Sequence, residues 1–160
     1  MKSQSLRCMD LFSDAAAESS ADFVGQCAKI FSGLADLPLD ERVDAINGIR
    51  RALHQYSPFA SEPVDCVEWV RADRVTANDY NPNSVAPPEM KLLEHSIAED
   101  GYTQPIVSWA HDDIYEVVDG FHRHRVGKES KIVSKRIAGY LPLVVINEGR
   151  TEKSDRIAAT

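Results

Sequence analysis

No stretch of this chain approaches the roughly 18 consecutive apolar residues that a membrane-spanning helix needs. Its start, Met1-Lys2-Ser3-Gln4-Ser5, lacks the apolar core of a secretory leader. Both absences lead us to expect a cytoplasmic protein with no membrane contact. Cysteine is scarce: Cys8, Cys27 and Cys66 stand far apart, form no C-x-x-C or Cys/His ligand spacing, and cannot all pair within one chain. That pattern argues against structural zinc and leads us to expect three reduced, packed thiols. Internal repeats and long low-complexity tracts are missing too, so repeat architectures drop out. Basic residues are in deficit, 18 against 25 acidic ones for a net charge of -7, which argues against a nucleic-acid-binding surface over the whole molecule.

What is present is an ordinary globular composition. The 160 residues are 43% hydrophobic and 27% charged, enough for one cored domain, or a small domain with an appendage. Residues 1–20 are rich in Ser, Ala and Asp and weakly patterned, so a flexible tail is expected there. Residues 21–60 form an α-helical region. Phe23, Val24, Cys27, Ile30, Phe31 and Leu34 recur at helical spacing. A second helix begins after Leu37, with Pro38 in its first turn and Leu39, Val43, Ile46, Ile49 and Leu53 on one face. Ser61-Glu62-Pro63 reads as a linker, and residues 64–160 as a second domain.

In that second domain the periods change. Val64 to Val70 alternates as a half-buried strand does. Thr76 to Ser84 is loop-like, and Pro87-Pro88 opens a helix that Gly101 closes. Gln104 to Trp109 and Ile114 to Val118 read as strands around the turn His111-Asp112-Asp113. After Asp119-Gly120 a basic helix runs on, followed by a short buried strand from Leu141 to Ile146. Thr151 resembles the N-cap of a last helix, cut off in mid-pattern at Thr160, as if the chain were truncated. The fold class expected is α+β, a small mixed sheet with helices, preceded by the helical region.

The chemistry concentrates at one turn. A strand that ends in glycine lets the chain turn tightly and lets a ligand approach the backbone. The helix after it opens with free N–H groups and the positive end of its dipole, an anion site in waiting. That helix begins Phe121-His122-Arg123-His124-Arg125, a basic run where acidic residues are favoured. A bound polyphosphate would turn this local conflict into an attraction, with arginine gripping it through its fork. Between Phe121 and Arg136 the cations Arg123, Arg125, Lys128, Lys131, Lys135 and Arg136 face one anion, Glu129, a net +5. Such a run either handles something anionic or is a solvated helix face.

The string Asp119-Gly120-Phe121-His122-Arg123 resembles the phosphate motif of the ParB/sulfiredoxin superfamily. Sulfiredoxins carry a Gly-Cys-His-Arg run at this place, ParB proteins a Gly-Glu-Arg-Arg run, and ParB-like serine kinases an Asp-Gly-His-His-Arg run. Upstream, Leu92-x4-Ile97-x3-Gly101-x2-Gln104-Pro105-Ile106 is similar to the family's first box, and Asn81-Pro82-Asn83 to its Asn-Pro loop. The resemblance covers Val64 to Asn147, about half the chain. With the helical region it is most similar to the immunoglobulin-binding regulator B subfamily, prophage-associated co-activators encoded beside a phosphoadenylylsulfate-reductase-like partner.

This resemblance implies binding of ATP, ADP or CTP with Mg2+, with Arg123 and His122 on the phosphates and Gly120 and Phe121 supplying the turn. Arg125 is a weaker contact. Gln104 and Pro105 would line the base or ribose, with Gly101 shaping that loop and Asn81 facing the ligand. Asp119 would be the catalytic carboxylate or hold magnesium. Phe121 replaces the sulfiredoxin cysteine, which excludes sulfinic-acid repair by that route, and it replaces the ParB glutamate. ParB's third box, an Asn-x-x-Arg helix, is not visible before Thr160. Three functions follow: a nucleotide switch with slow hydrolysis, a small-molecule phosphotransferase, or a non-enzymatic DNA-associated or nuclease-type co-activator. A homodimer and a reductase-like partner protein belong to the same expectation.

Overall fold

A computed structural model describes residues 19–77 and 86–146. The expected tail, the Asn81-Pro82-Asn83 loop and the helix from Thr151 lie outside them. The chain divides into two compact units, residues 1–42 and 43–160. The sequence places its boundary later, at Ser61-Glu62-Pro63.

In the first unit, α1 (Ser20–Phe31) follows Ser19, whose hydroxyl accepts from the Asp22 N–H and so caps one of the free N-terminal donors. The expected helix to Leu34 instead tightens at Ser32 into a 3-10 turn ending at Asp36. Arg42 closes the segment by donating to the carbonyls of Ala35 and Leu37 at 2.6 and 2.8 Å. The Arg42 N–H also donates to the Pro38 carbonyl at 2.8 Å, so Pro38 stands just before α2 (Leu39–His54), where its missing N–H costs nothing.

The second unit is built on a five-stranded mixed sheet: β1 (Val67–Arg71), β2 (Val75–Thr76), β3 (Ile106–His111), β4 (Ile114–Asp119) and β5 (Tyr140–Val145). Their order is β1-β5-β3-β4-β2. β1/β5 and β3/β4 are antiparallel, β3/β5 and β2/β4 parallel. The α+β expectation holds. β1 starts at Val67 rather than Val64, because Pro63-Val64-Asp65 coils into a 3-10 turn. Edge strand β1 is covered from outside by Asn47 of α2. The Asn47 amide donates to the Trp69 carbonyl at 2.8 Å and accepts from the Trp69 N–H at 3.1 Å. One side chain thus imitates a neighbouring strand and satisfies both edge groups, which would otherwise invite a foreign strand.

Besides most of α2, the described residues of this unit hold three further helices: α3 (Pro87–Asp100), α4 (Phe121–Glu129) and α5 (Lys131–Arg136). The single basic helix expected after Gly120 is two helices. Ser130 breaks it, accepting from the Val133 N–H at 3.3 Å as the cap of α5 and donating to Glu94 at 2.5 Å. Val70, Val75, Ile106, Val117, Leu141 and Leu143 form the core on the sheet. Ile97, Val126 and Val133 form a second cluster among the helices, and Tyr102 and Ile137 pack against both. Tyr102 is therefore a joint between the helical layer and the sheet. No helix among the described residues is long and apolar enough to cross a membrane.

Candidate functional site

Sheet register brings the two sequence boxes together. Val107 of β3 pairs with Asp119 of β4 in an antiparallel ladder, with a bulge between Val107 and Ser108. The segment Gln104-Pro105 that leads into β3 therefore lies beside the turn that leaves β4. At that turn Gly120 is left-handed, with φ 87° and ψ 27°, a conformation that costs glycine nothing and other residues about 1–2 kcal/mol. The His124 N–H donates to the Gly120 carbonyl at 2.8 Å, the first bond of α4. No side chain caps this helix and no acidic residue stands in its first turn, so its opening N–H groups and dipole favour an anion.

Arg123 folds back over the turn. Its Nη2 donates to Asp119 Oδ2 at 3.1 Å and its Nη1 to Gln104 Oε1 at 2.9 Å. A Cβ on Gly120 would stand 2.9 Å from Nη2 and 3.0 Å from Nε, so the bare glycine makes room for the guanidinium. Three buried nitrogens on these two consecutive residues have no partner: Nδ1 and Nε2 of His122 and Nε of Arg123. Buried polar atoms are rarely left so, because each unmet donor or acceptor costs about 1–3 kcal/mol. Phe121, half-buried, sets its ring edge-on to His122 with centroids 5.6 Å apart.

The structure thus joins Asp119, Gly120, Arg123 and Gln104 in one cluster, with Phe121 and His122 adjacent in the chain. Arg125 faces elsewhere: it pairs with Glu129 at 3.0 Å and lines a cleft of about 360 Å³ between α3 and α4, with Pro87, Met90, Lys91 and Glu94. Gly101 ends α3 with φ 84°, and a Cβ there would stand 3.1 Å from Arg136 Nη2. Pro105 is half-buried ahead of β3. Asn81 lies outside the described residues. The +5 run is largely engaged within the protein. Arg136 donates to the Ile97 and Ala98 carbonyls at the end of α3, and Lys128 to the Val75 carbonyl at 3.4 Å.

Sequence reasoning missed Tyr102. Its hydroxyl donates to the Arg123 carbonyl at 2.7 Å, so it fixes the backbone that carries the arginine. Burial pushes the Tyr102 phenol up to about 12, against the pull of the Arg123 charge, and keeps it a donor. A tyrosine one residue after a helix-closing glycine is no signal of this role; only the fold brings it under α4.

His124 is buried, its Nε2 3.3 Å from the Val75 carbonyl. Burial pushes its imidazole below the usual 6.5, against the pull of that hydrogen bond, and the Lys128 charge pushes the same way as burial. The unfolded chain then binds a proton near pH 6.5 that the fold refuses, so this residue removes stability as pH falls below 6.5. Urea unfolding should show stability falling as pH drops below 6.5, by no more than about 1.4 kcal/mol per pH unit from this group. A His124→Asn variant should lack that part of the slope; identical slopes in the two proteins would contradict it.

Residues 58–157 match the family model of the ParB N-terminal domain. The uncharacterized protein YbdM of Escherichia coli (strain K12) is 56% identical over 128 residues, which cover 79% of this chain and 60% of YbdM. The chain thus spans under two thirds of that relative. Among solved structures, the C-terminally truncated chromosome-partitioning protein ParB from Caulobacter crescentus, complexed with CTP-gamma-S, is 18% identical, with a TM-score of 0.46 over 58% of this chain and 49% of that one. Sulfiredoxin from Arabidopsis thaliana is 15% identical, with a TM-score of 0.40 over 58% of this chain and 93% of that one.

Proposed function

The chain belongs to the ParB N-terminal domain family, and from that premise we propose that it is a nucleotide-binding regulatory protein whose phosphate site is the turn Asp119-Gly120-Phe121-His122-Arg123. The observation that carries this is the set of three unpartnered nitrogens on His122 and Arg123 at the uncapped start of α4. A polyphosphate supplies oxygen acceptors for the Arg123 Nε–H and for an imidazole N–H of His122, and the helix dipole adds to the attraction. Gln104, already on Arg123, lies at the rim where a base or ribose would extend.

ATP, ADP or CTP is the ligand class. Among the described residues no three His, Cys, Asp or Glu side chains gather as a metal site. Magnesium would therefore arrive on the nucleotide's own phosphates, as this reluctantly dehydrated ion usually does. Phosphotransfer is the second reading, and it needs Asp119 released from its pair with Arg123 and an acceptor hydroxyl bound beside it. The alternative, a DNA-associated role, would rest on the same basic run, of which Arg125, Lys128 and Arg136 already bond within the protein. The narrower likeness to immunoglobulin-binding regulator B, its reductase-like partner and a homodimer extend the same reading. Calorimetric titration with ATP, ADP and CTP, with and without magnesium, tests it. Saturable binding of one or more of them is expected, and heats no larger than dilution for all three would overturn the proposal.

A further inference from the structure

We propose that Asp119 is an internal competitor for Arg123 and lowers the affinity of the site for phosphate ligands; this rests on reading the turn as a phosphate site. Sequence and resemblance assign Asp119 to catalysis or metal binding. The geometry gives it another partner. Asp119 is the last residue of β4 and Arg123 stands four residues on, one turn into α4, so the left-handed Gly120 between them folds the guanidinium back onto the carboxylate at 3.1 Å. The other arm is held by Gln104 at 2.9 Å. Both outer nitrogens of the fork are therefore engaged inside the protein, and the absent Cβ of Gly120 is what lets the fork lie this low over the turn.

A phosphate that reaches the first turn of α4 must draw the fork away from Asp119. Once displaced, the carboxylate remains beside the incoming anion and repels it, by more for each added negative charge. The Asp119 side chain is 55% exposed and that of Arg123 22%, so water screens the pair and its effect is moderate. The consequence has a sign that neither a catalytic nor a metal-binding aspartate would give: removing the charge tightens binding.

The experiment compares wild type, Asp119→Asn, Asp119→Glu and Asp119→Asn with Arg123→Ala. The probes are ATP, ADP and CTP, then inorganic tripolyphosphate, pyrophosphate and orthophosphate, at low and high salt, with and without magnesium. Asp119→Asn, which keeps shape and an acceptor for Arg123, should tighten tripolyphosphate about two- to tenfold. The gain should decrease from tripolyphosphate to orthophosphate and fade with salt. Asp119→Glu should stay near wild type, and adding Arg123→Ala should erase the gain. A merely structural aspartate would produce neither the charge grading nor the rescue by glutamate. If wild type binds and Asp119→Asn binds equally or more weakly, or loses only its magnesium-dependent part, the competitor role is overturned while the phosphate site stands. If Asp119→Asn alone binds, both stand. If neither protein binds any probe, both the site and the competitor fall.

Discussion

Replacing Gly127 with alanine is expected to destabilise the second unit by about 2 kcal/mol, the balance of overpacking against the helix propensity gained. In an exposed helix this substitution would help by about 1 kcal/mol. Here a Cβ on Gly127 would overlap Tyr102 Oη and Leu141 Cδ2. Neither neighbour can retreat easily: Tyr102 is held by its bond to the Arg123 carbonyl, and Leu141 is fully buried in the sheet core. Gly120 and Gly127 lie two turns apart on one helix, and between them they let α4 settle close to its surroundings, one at its start and one against Tyr102 and Leu141. Thermal unfolding should shift down by roughly 10 °C for a unit of this size. In a double-mutant cycle, Tyr102→Phe should recover part of the loss by removing one of the two overlaps. A Gly127→Ala protein as stable as wild type would show that α4 does not sit where the structure has it.

The same residues show what could be read in the chain beforehand. Helical periodicity located α2 and α3, and short apolar runs bounded by turn residues located β3, β4 and β5, the last of them buried along nearly its whole length. The turn was legible because Asp-Gly between an apolar run and a basic run breaks a local rule. Other features have no local signature. β2 is two residues long and exists through its parallel pairing with Tyr115 and Glu116, distant in sequence. The break at Ser130 depends on Glu94 of another helix, and serine alone does not announce it. The net +5 run looked like one basic surface because sequence shows charges without their acceptors. The carbonyls that take Arg136 and Lys128 come from α3 and β2. The Asp119–Arg123 pair is the exception: its i,i+4 spacing is visible in the chain, but one residue ends a strand and the other starts a helix, and only the turn at Gly120 brings the two together.

Arg123→Ala is expected to weaken nucleotide binding by about ten- to a hundredfold, the worth of one charge-assisted fork on phosphate. Its effect on folding should be small. The guanidinium's partners, Asp119 and Gln104, are exposed and return to water without penalty, and exposed ion pairs contribute at most about 1 kcal/mol. Affinity and stability should therefore separate in this variant, whereas in Gly127→Ala they fall together because the whole helix moves. Arg123→Lys sharpens the point. It preserves the charge but not the planar fork, so it cannot hold Gln104 and Asp119 in the same way or grip two phosphate oxygens at once. An affinity between those of wild type and Arg123→Ala is expected. If the lysine variant equalled wild type, charge alone would suffice and the fork geometry would be irrelevant. If Arg123→Ala itself bound nucleotide as tightly as wild type, the phosphates would have to sit elsewhere. The unpartnered nitrogens of His122 would then need another occupant.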